Sequence, residues 1–391
     1  MSADKWMSKL TKDLGKIASD IPEPSKHIVK LPSPSLNWIT GTRGIPRGKT
    51  ILMAGPESGG KSLLGQLTLI QLQKDFPEGI CILFDAEYSF NPTWFEKLGG
   101  DLKRLIIRQS NDPLDIFDYI EEDMQEMLQD GAPIVGIMID SIKAIRYPKD
   151  RKDKTTKIVM AGGGSSYLGP ALKGIIPVIR QFNITTIMVQ QVYEELDQYK
   201  AMQNPFVIPD GRSLKHATDL LLMVQRVDTK VGRVEDGKNI HGGAMQVGHV
   251  MRVKCRKNRV GAPYRTAQLT LEYNKGITNI GQEIYDLAKS LSVIYHPINP
   301  DTGKPSSQMW KFGDYDAVRG ESQMIENVKN NPKMQEDIME AVYSIDDEKA
   351  IQQRNKELGL DTEGNNLPTN DTGKIDMYDP KLDDALRDMV K

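Results

Sequence analysis

From position 50 onward, short apolar runs alternate along the chain with helix-like segments. The runs are apolar at nearly every position, which is typical of strands buried on both faces of a parallel sheet. The segments between them, such as 62–74 and 113–129, have the length and pattern of helices. The six predicted strands are 50–54, 80–84, 105–107, 134–139, 185–189 and 220–224. This alternation predicts an α/β fold in which helices cover both faces of a mostly parallel sheet.

After position 245 the pattern changes to strand, turn and strand, over 250–256, 258–263 and 266–272. This order predicts an antiparallel hairpin at one edge of the sheet. A core domain is therefore expected over 36–280, and a small α/β domain over 281–345. The segment 346–391 is polar, mildly acidic and aperiodic, so it is expected to be a loosely attached tail.

The N-terminal segment carries apolar residues at helical spacing, which predicts a short amphipathic helix. These residues are Trp6, Leu10, Leu14 and Ile17. A stretch rich in proline and serine follows and is expected to act as a linker. A solitary short helix is marginally stable, so it needs a surface to dock on. That surface could belong to its own domain or to a neighbouring subunit, and the segment 1–35 is predicted to serve oligomerisation.

The composition limits the class of protein but does not indicate a function. Of the 391 residues, 39% are hydrophobic and 27% are charged, as in ordinary globular proteins. The net charge of −2 neither indicates nor excludes a nucleic-acid partner, because binding depends on local patches. The two cysteines lack metal-ligand spacing. The chain shows neither a secretory signal nor a membrane-spanning run, so a cytoplasmic protein without a membrane partner is expected.

Eight residues between the first predicted strand and the first helix form the pattern Gly-x-x-x-x-Gly-Lys-Ser of a phosphate-binding loop. They are Gly55, Pro56, Glu57, Ser58, Gly59, Gly60, Lys61 and Ser62, and Leu63 follows them. In such a loop, backbone N–H groups and the helix N-terminus face the phosphates. We expect Lys61 to bridge the β- and γ-phosphates of a nucleoside triphosphate and the Ser62 hydroxyl to ligate Mg²⁺.

Carboxylates at the ends of two other predicted strands extend this site. Asp140 ends the run 134–139 and can hold Mg²⁺ directly or through water. Asp85 and Glu87 follow the run 80–84, and a carboxylate there can orient the water that attacks the γ-phosphate. Spacing alone leaves the choice between Asp85 and Glu87 open.

Five motifs in the same order resemble those of the RecA-type recombinases. They are the segments 55–62, 84–99, 139–141, 187–191 and 257–263. The resemblance covers roughly 30–340 and implies the RecA-like fold with ATP and Mg²⁺ as cofactors. It implies that Glu87 is the catalytic carboxylate and that Gln191 senses the γ-phosphate. It also implies that Lys257 and Arg259 reach the ATP of a neighbouring subunit.

The same resemblance implies contacts with the nucleotide base. Trp94 occupies the position of an aromatic residue that stacks on adenine, and Asn91 the position of an acidic residue that contacts the base. Both side chains differ from the family pattern. Without the resemblance, the sequence favours a core position for Trp94 over a position against adenine.

Two long connections are candidates for DNA loops. The first combines cations with glycines over 145–164, and its candidate DNA contacts are Lys149, Arg151, Lys152, Lys154 and Lys157. The second runs over 193–211 and contains Tyr193 and Phe206, which can stack on bases or pack against their own domain. Lys173 and Arg180 lie between the loops and Arg212 follows them. A run of charge is also common on a merely solvated face.

The resemblance implies a DNA-dependent ATPase that forms a helical homo-oligomer on single-stranded DNA and exchanges strands with a homologous duplex. The basic first loop favours bacteriophage recombinases of the UvsX type over a divergent bacterial RecA. A single-strand-binding protein and a loader are expected partners, in the cytoplasm of a bacterial host. The alternatives are a hexameric DNA helicase or motor with the same ATPase core, and a non-hydrolysing regulatory paralogue, which Lys61 and Glu87 argue against.

Overall fold

The computed structural model describes residues 26–146, 165–203, 205–209, 211–227, 232–238, 244–298 and 303–357. The chain forms two units, one that ends at Ile284 and one that begins at Tyr285. The predicted N-terminal helix and the tail beyond 357 lie outside the described residues. So does most of the first predicted DNA loop, including its five candidate cations.

Ten strands form the main sheet of the first unit. They are β3 (Thr50–Gly55), β4 (Ile80–Asp85), β5 (Leu105–Arg108), β6 (Ile134–Asp140), β7 (Thr185–Gln191), β10 (Leu220–Arg226), β11 (Arg233–Lys238), β12 (Ala244–Asn258), β13 (Thr266–Glu272) and β14 (Gly276–Thr278). Their order in the sheet is β14-β13-β12-β10-β3-β7-β6-β4-β5, with β11 paired to β12. The six strands from β10 to β5 are parallel, whereas β11 to β14 pair antiparallel. The predicted parallel sheet with an antiparallel hairpin is confirmed, and β11 and β14 add two further strands outside the hairpin.

Small two-stranded sheets complete the strand set. They are β1 (Ile28–Val29) with β2 (Ile45–Pro46), β8 (Tyr193–Glu194) with β9 (Phe206–Val207), and β15 (Met309–Trp310) with β16 (Val318–Arg319). The pair β8–β9 lies within the second predicted DNA loop. That loop therefore has a short antiparallel stem rather than an irregular backbone.

The helices lie between the strands, as the alternation predicted. They are α1 (Pro34–Ile39), α2 (Lys61–Asp75), α3 (Pro92–Lys97), α4 (Tyr119–Glu121), α5 (Asp123–Gln129), α6 (Ser165–Gln181), α7 (Gln198–Gln203), α8 (Gly211–Ala217), α9 (Ile280–Ser290), α10 (Glu321–Asn330) and α11 (Pro332–Glu357). Short 3₁₀ turns at Leu102–Arg104 and Ile142–Ala144 and a π-helical turn at Leu114–Asp118 complete them. Helix α11 extends past position 345, where the sequence pattern placed the start of the tail.

Every residue of β3 is buried, because apolar cores lie on both faces of the sheet. Successive strand side chains point to opposite faces. Accordingly Ile51 and Met53 pack in one core with apolar residues of α2, and Leu52 and Ala54 pack in the other with those of α6. The two-sided burial explains why the parallel strands are continuously apolar.

In the second unit, aromatic and aliphatic residues form a separate small core. Tyr285 and Trp310 pack edge to face with ring centroids 6.0 Å apart. Met324 and Val328 of α10 are buried, as is Ile338 of α11. The unit thus has apolar side chains of its own to stabilise it.

Candidate functional site

Glycine is required at both ends of the loop 55–62, which connects β3 to α2. A Cβ atom on Gly55 would lie 1.9 Å from the carbonyl oxygen of Val224, so the neighbouring strand leaves no room for a side chain. Gly60 precedes α2 with a φ of 93°, in the left-handed region that glycine adopts without strain. These two constraints hold the loop at the N-terminus of α2, where backbone N–H groups favour an anion.

The side chain of Lys61 folds back over this loop. The residue is 6% exposed, and its Nζ donates a hydrogen bond to the carbonyl oxygen of Pro56 at 2.5 Å. Burial lowers the pKa of Lys61, while the negative charges of Asp140 and Glu87 oppose that shift. The buried cation is thus matched by carboxylates on the neighbouring strands.

The carboxyl ends of four parallel strands meet beside this loop. The register pairs Gly55 of β3 with Gln191 of β7, and Asp85 of β4 with Asp140 of β6. A cavity of about 360 Å³ opens there. Its lining residues are Glu57, Ser58, Lys61, Ser62, Glu87, Asp140, Val189 and Gln191. The structure therefore brings together, from four different elements, the five side chains that the sequence singled out for nucleotide chemistry, namely Lys61, Ser62, Glu87, Asp140 and Gln191.

Asp140 is a buried carboxylate with an unused acceptor. It is 5% exposed, and its Oδ1 has no hydrogen-bond partner among the described residues. Burial raises the pKa of Asp140 to about 6; a hydrogen bond from Ser62 opposes the rise, and the charges of Glu87 and Asp85 add to it. A buried oxygen without a donor, beside a serine hydroxyl, is a donor set that suits a hard cation such as Mg²⁺.

Asp85 and Glu87 lie at the end of β4 in different surroundings. Asp85 accepts backbone hydrogen bonds from Ser89 at 3.0 Å and Phe90 at 3.1 Å, and a third hydrogen bond from the side chain of Gln109 at 3.1 Å. Its carboxylate is therefore occupied in holding the turn after β4. Glu87 instead lines the cavity.

Two neutral side chains hold Glu87 through the same oxygen. The Ser141 hydroxyl donates to Oε1, and Nε2 of Gln191 donates to Oε1 at 3.3 Å. Sequence inspection did not single out Ser141 as a site residue, although it directly follows Asp140. Its hydroxyl could be found only once β4 and β6 were known to be neighbours.

Asn91 and Trp94 occupy positions outside the cavity lining. The Asn91 side chain accepts a hydrogen bond from the backbone N–H of Trp94 at 3.0 Å and so caps α3. The Trp94 ring is partly buried against the apolar core that contains α2. Their contact with a nucleotide base remains a prediction.

Lys257 and Arg259 lie at the end of β12, away from the cavity. Nζ of Lys257 donates to the carbonyl oxygens of Lys215 and Thr218, the latter at 2.6 Å. Burial lowers the pKa of Lys257 and the charge of Arg259 lowers it further, while Asp219 opposes both. Arg259 lies 3.9 Å from Asp219. Within one chain, neither cation lines the phosphate cavity.

Three of the candidate DNA cations share one groove with Arg259. The groove, about 480 Å³ in volume, lies between α6 and α8, and its cationic lining residues are Lys173, Arg180, Arg212 and Arg259. Arg180 also lies 3.4 Å from Asp219. Asp219 is nearly buried, so one carboxylate orients two arginines from different elements.

The aromatic candidates of the second loop differ in exposure. Tyr193 is 52% exposed, and Nζ of Lys143 lies 4.9 Å from its ring centroid. Phe206 is partly buried against the core that contains α6. Within the described ranges, no helix is long and apolar enough to cross a membrane, and no three histidine, cysteine, aspartate or glutamate residues cluster as a metal site.

Comparison with known proteins agrees with this arrangement. Residues 5–278 match the family model of the RecA N-terminal domain. Protein RecA of Thermus aquaticus is 25% identical over 341 residues, which are 86% of this chain and 92% of that protein. Protein RecA of Clostridioides difficile is 28% identical over 345 residues, which are 87% and 88% of the two chains. Since the family model matches more than half of the sequence, the chain belongs to the RecA N-terminal domain family.

Proposed function

We propose that this chain is a DNA-dependent ATPase that forms helical filaments on single-stranded DNA and pairs it with a homologous duplex. Membership of the RecA family makes it an ATP-hydrolysing recombinase of DNA recombination and repair. One observation carries the mechanism. Lys61, Asp140, Glu87 and Gln191 surround one phosphate cavity, whereas Lys257 and Arg259 are fixed outside it. This separation supports the proposal that the site is half of a centre that a second copy completes.

In the proposed mechanism, the loop 55–62 binds the triphosphate through its backbone N–H groups and through Lys61. Glu87 orients the attacking water and accepts its proton, because its carboxylate lines the cavity while that of Asp85 is held in a turn. Gln191 contacts the γ-phosphate with the same amide donor that now faces Glu87. Occupation of the cavity thus changes the partner of Gln191.

Ser62 and Asp140 are the proposed holders of Mg²⁺, since the Asp140 Oδ1 is buried without a donor. A cation held there would neutralise negative charge on the phosphates. Asp140 would hold it directly or through a water molecule.

Lys257 and Arg259 are proposed to complete the site on the neighbouring subunit. Cations that reach a transferring phosphoryl group lower the barrier only when they are in place, so hydrolysis depends on assembly. Contacts of this head-to-tail kind generate an open helix when the rotation does not close. The segment 1–35 is proposed to add a second contact between neighbours.

DNA is proposed to bind along the two predicted loops, over 145–164 and 193–211. The cations of the first loop are Lys149, Arg151, Lys152, Lys154 and Lys157, with Lys173, Arg180 and Arg212 nearby in sequence. Tyr193 is exposed and can stack on a base, whereas Phe206 packs partly against the core and so supports the loop. Asn91 and Trp94 are proposed to face the adenine of ATP.

Among RecA-family proteins, we place this chain with the bacteriophage recombinases of the UvsX type. The cation-rich segment after Asp140 motivates that choice. The proposed organisation is 1–35 for oligomerisation, 36–280 for the ATPase core, 281–345 for a small domain and 346–391 for an acidic tail. A single-strand-binding protein and a loader are the proposed partners in the cytoplasm of a bacterial host.

A strand-exchange assay with the purified chain, circular single-stranded DNA, linear duplex and ATP tests this function. We expect joint molecules that require ATP, and extended filaments on single-stranded DNA in electron micrographs with a non-hydrolysable ATP analogue. Vigorous ATP hydrolysis without joint molecules would refute the proposal. Closed rings that unwind a duplex would identify a helicase instead.

A further inference from the structure

A row of four side chains connects the phosphate cavity to the second loop. Nε2 of Gln191 donates to Glu87, and Nζ of Lys143 donates to Oε1 of Gln191 at 2.7 Å. The same ammonium lies 4.9 Å from the ring centroid of Tyr193. Lys143 belongs to the 3₁₀ turn Ile142–Ala144, directly after β6, so the sheet edge brings it beside β7. The row therefore runs from the proposed catalytic carboxylate to the first exposed aromatic residue of the loop.

The two neighbours of Gln191 fix the orientation of its amide. A lysine ammonium can only donate hydrogen bonds and an ionised carboxylate can only accept them. With Lys143 on one side and Glu87 on the other, only one orientation satisfies both contacts, with Oε1 toward the cation and Nε2 toward the carboxylate. Lys143 thus decides which way the amide donor of Gln191 points.

Resting on the function proposed above, we propose that Lys143 is a positioning residue that couples the ATP site to the loop beginning at Tyr193. When the amide donor of Gln191 turns from Glu87 to a γ-phosphate oxygen, its carbonyl oxygen turns with it. The hydrogen bond from Lys143 to Gln191 is then lost or shifted, and the ammonium of Lys143 moves relative to the Tyr193 ring. The conformation of the loop thereby depends on whether a γ-phosphate is present, and the ammonium of Lys143 transmits that dependence.

The electrostatics of the cavity are compatible with this role. Burial lowers the pKa of Lys61, and the positive charge of Lys143 contributes to the same shift, so the two ammonium groups act on each other. An anionic phosphate in the cavity would relieve that repulsion and attract both cations. Because Lys143 is exposed, its contacts add little to the stability of the fold. Its substitution can therefore be tested in a folded protein.

The test compares Lys143→Met, which keeps the apolar stem but removes the donor and the charge, with Lys143→Arg, which keeps both. We expect Lys143→Met to lower the DNA-stimulated kcat by about three- to tenfold, with KM for ATP changed less than about twofold. The ratio of single-stranded DNA affinities with an ATP analogue and with ADP should fall similarly. Lys143→Arg should retain most of the DNA-stimulated kcat and most of the affinity ratio of the unsubstituted protein.

Lys103→Met is the matched control, because Lys103 is exposed and precedes β5 at the opposite, amino edge of the sheet. It should behave as the unsubstituted protein. In a double-substitution cycle, Tyr193→Leu added to Lys143→Met should cause little further loss in the affinity ratio, because both changes break the same connection. If the two substitutions instead lower the affinity ratio by independent factors that multiply, the proposed coupling between Lys143 and Tyr193 is wrong.

The outcomes separate this inference from the function on which it rests. If the unsubstituted protein shows no DNA-stimulated hydrolysis, the proposed function fails. If it is stimulated normally and Lys143→Met has the same stimulation and the same affinity ratio, only the role of Lys143 fails. Unchanged thermal unfolding of Lys143→Met establishes that any loss comes from coupling and not from misfolding.

Discussion

The two groups of residues that face nucleotide in the proposed filament are held in opposite ways. On the phosphate side, Lys61 is buried at the N-terminus of α2, and Asp140 is buried at the end of β6 within the ten-stranded sheet. On the hairpin side, Lys257 and Arg259 keep their charges near the surface and are held by backbone carbonyl oxygens and by Asp219. The first group is fixed by the core of the fold, and the second by a few polar contacts.

The difference has a physical consequence for control. Buried side chains held by the core keep their geometry in an isolated subunit, so nucleotide binding should not require assembly. Partly exposed cations are less enclosed than Lys61 and can exchange carbonyl partners for a phosphate when a neighbour arrives. We therefore expect the phosphate side to supply affinity for the nucleotide, and the hairpin side to make hydrolysis depend on the filament.

Lys61→Ala should have the largest effect, because it removes the buried cation of the phosphate side. We expect ATP hydrolysis and strand exchange to fall by more than about 1,000-fold, since ground-state binding and transition-state stabilisation are both lost. Steady-state hydrolysis and a joint-molecule assay measure the loss. Lys103→Ala, at the amino edge of the sheet, is the control. Normal strand exchange by Lys61→Ala would contradict the proposed site.

Glu87→Gln should separate binding from chemistry within the phosphate side. The amide preserves the shape of the carboxylate but cannot accept a proton from water, so kcat should fall by about 100- to 1,000-fold while ATP and DNA still bind. Filaments should consequently persist after ATP is added. Glu78→Gln, an exposed glutamate before β4, serves as the control. Rapid filament disassembly by Glu87→Gln would assign the catalytic role elsewhere.

The contrast between the two sides also explains what could be predicted from the sequence. The parallel strands were recognisable because burial on both faces makes them continuously apolar. Lys61 follows from the loop pattern after the first strand, and Asp140 follows from its place at a strand end. Glu87 could be separated from Asp85 only by resemblance. The hydrogen bonds that hold Asp85 in its turn come from Ser89, Phe90 and Gln109, and the last of these follows a different strand.

Contacts between distant segments account for what sequence inspection missed. Ser141 and Lys143 act on Glu87 and Gln191 only because β6 lies between β4 and β7 in the sheet. Asp219 ends a loop, and nothing local indicates that two arginines meet at its carboxylate. Such pairings depend on the strand order, which hydrophobic periodicity does not encode.

Lys257→Ala tests the hairpin side directly. We expect the isolated subunit to bind ATP normally, while DNA-stimulated hydrolysis falls by about 10- to 100-fold, because Arg259 still supplies one positive charge to the neighbouring site. Equilibrium nucleotide binding without DNA and hydrolysis with DNA measure the two parts. Lys275→Ala removes an exposed cation paired with Glu272 and is the control. Loss of nucleotide binding by the isolated subunit would contradict a contact made in trans.

Asp219→Asn should have the smallest effect and is the finest test of how the hairpin side is held. The carboxylate accepts the backbone N–H of Thr50 at 3.1 Å and lies near Arg180 and Arg259, and its own backbone carbonyl oxygen accepts the N–H of Arg259 at 3.0 Å. Asparagine retains an acceptor for Thr50 but not the negative charge. The arginines should therefore lose their orientation while the sheet remains intact.

We expect Asp219→Asn to lower DNA-stimulated hydrolysis by about two- to tenfold and the free energy of unfolding by about 1 kcal/mol. Nucleotide binding by the isolated subunit should stay unchanged, since none of the cavity residues contacts Asp219 in this structure. Asp101→Asn, which breaks an exposed pair with Arg104, is the matched control. An equal loss of nucleotide binding and of stimulated hydrolysis would mean that Asp219 supports the whole sheet, and the division into two separately held sides would then be wrong.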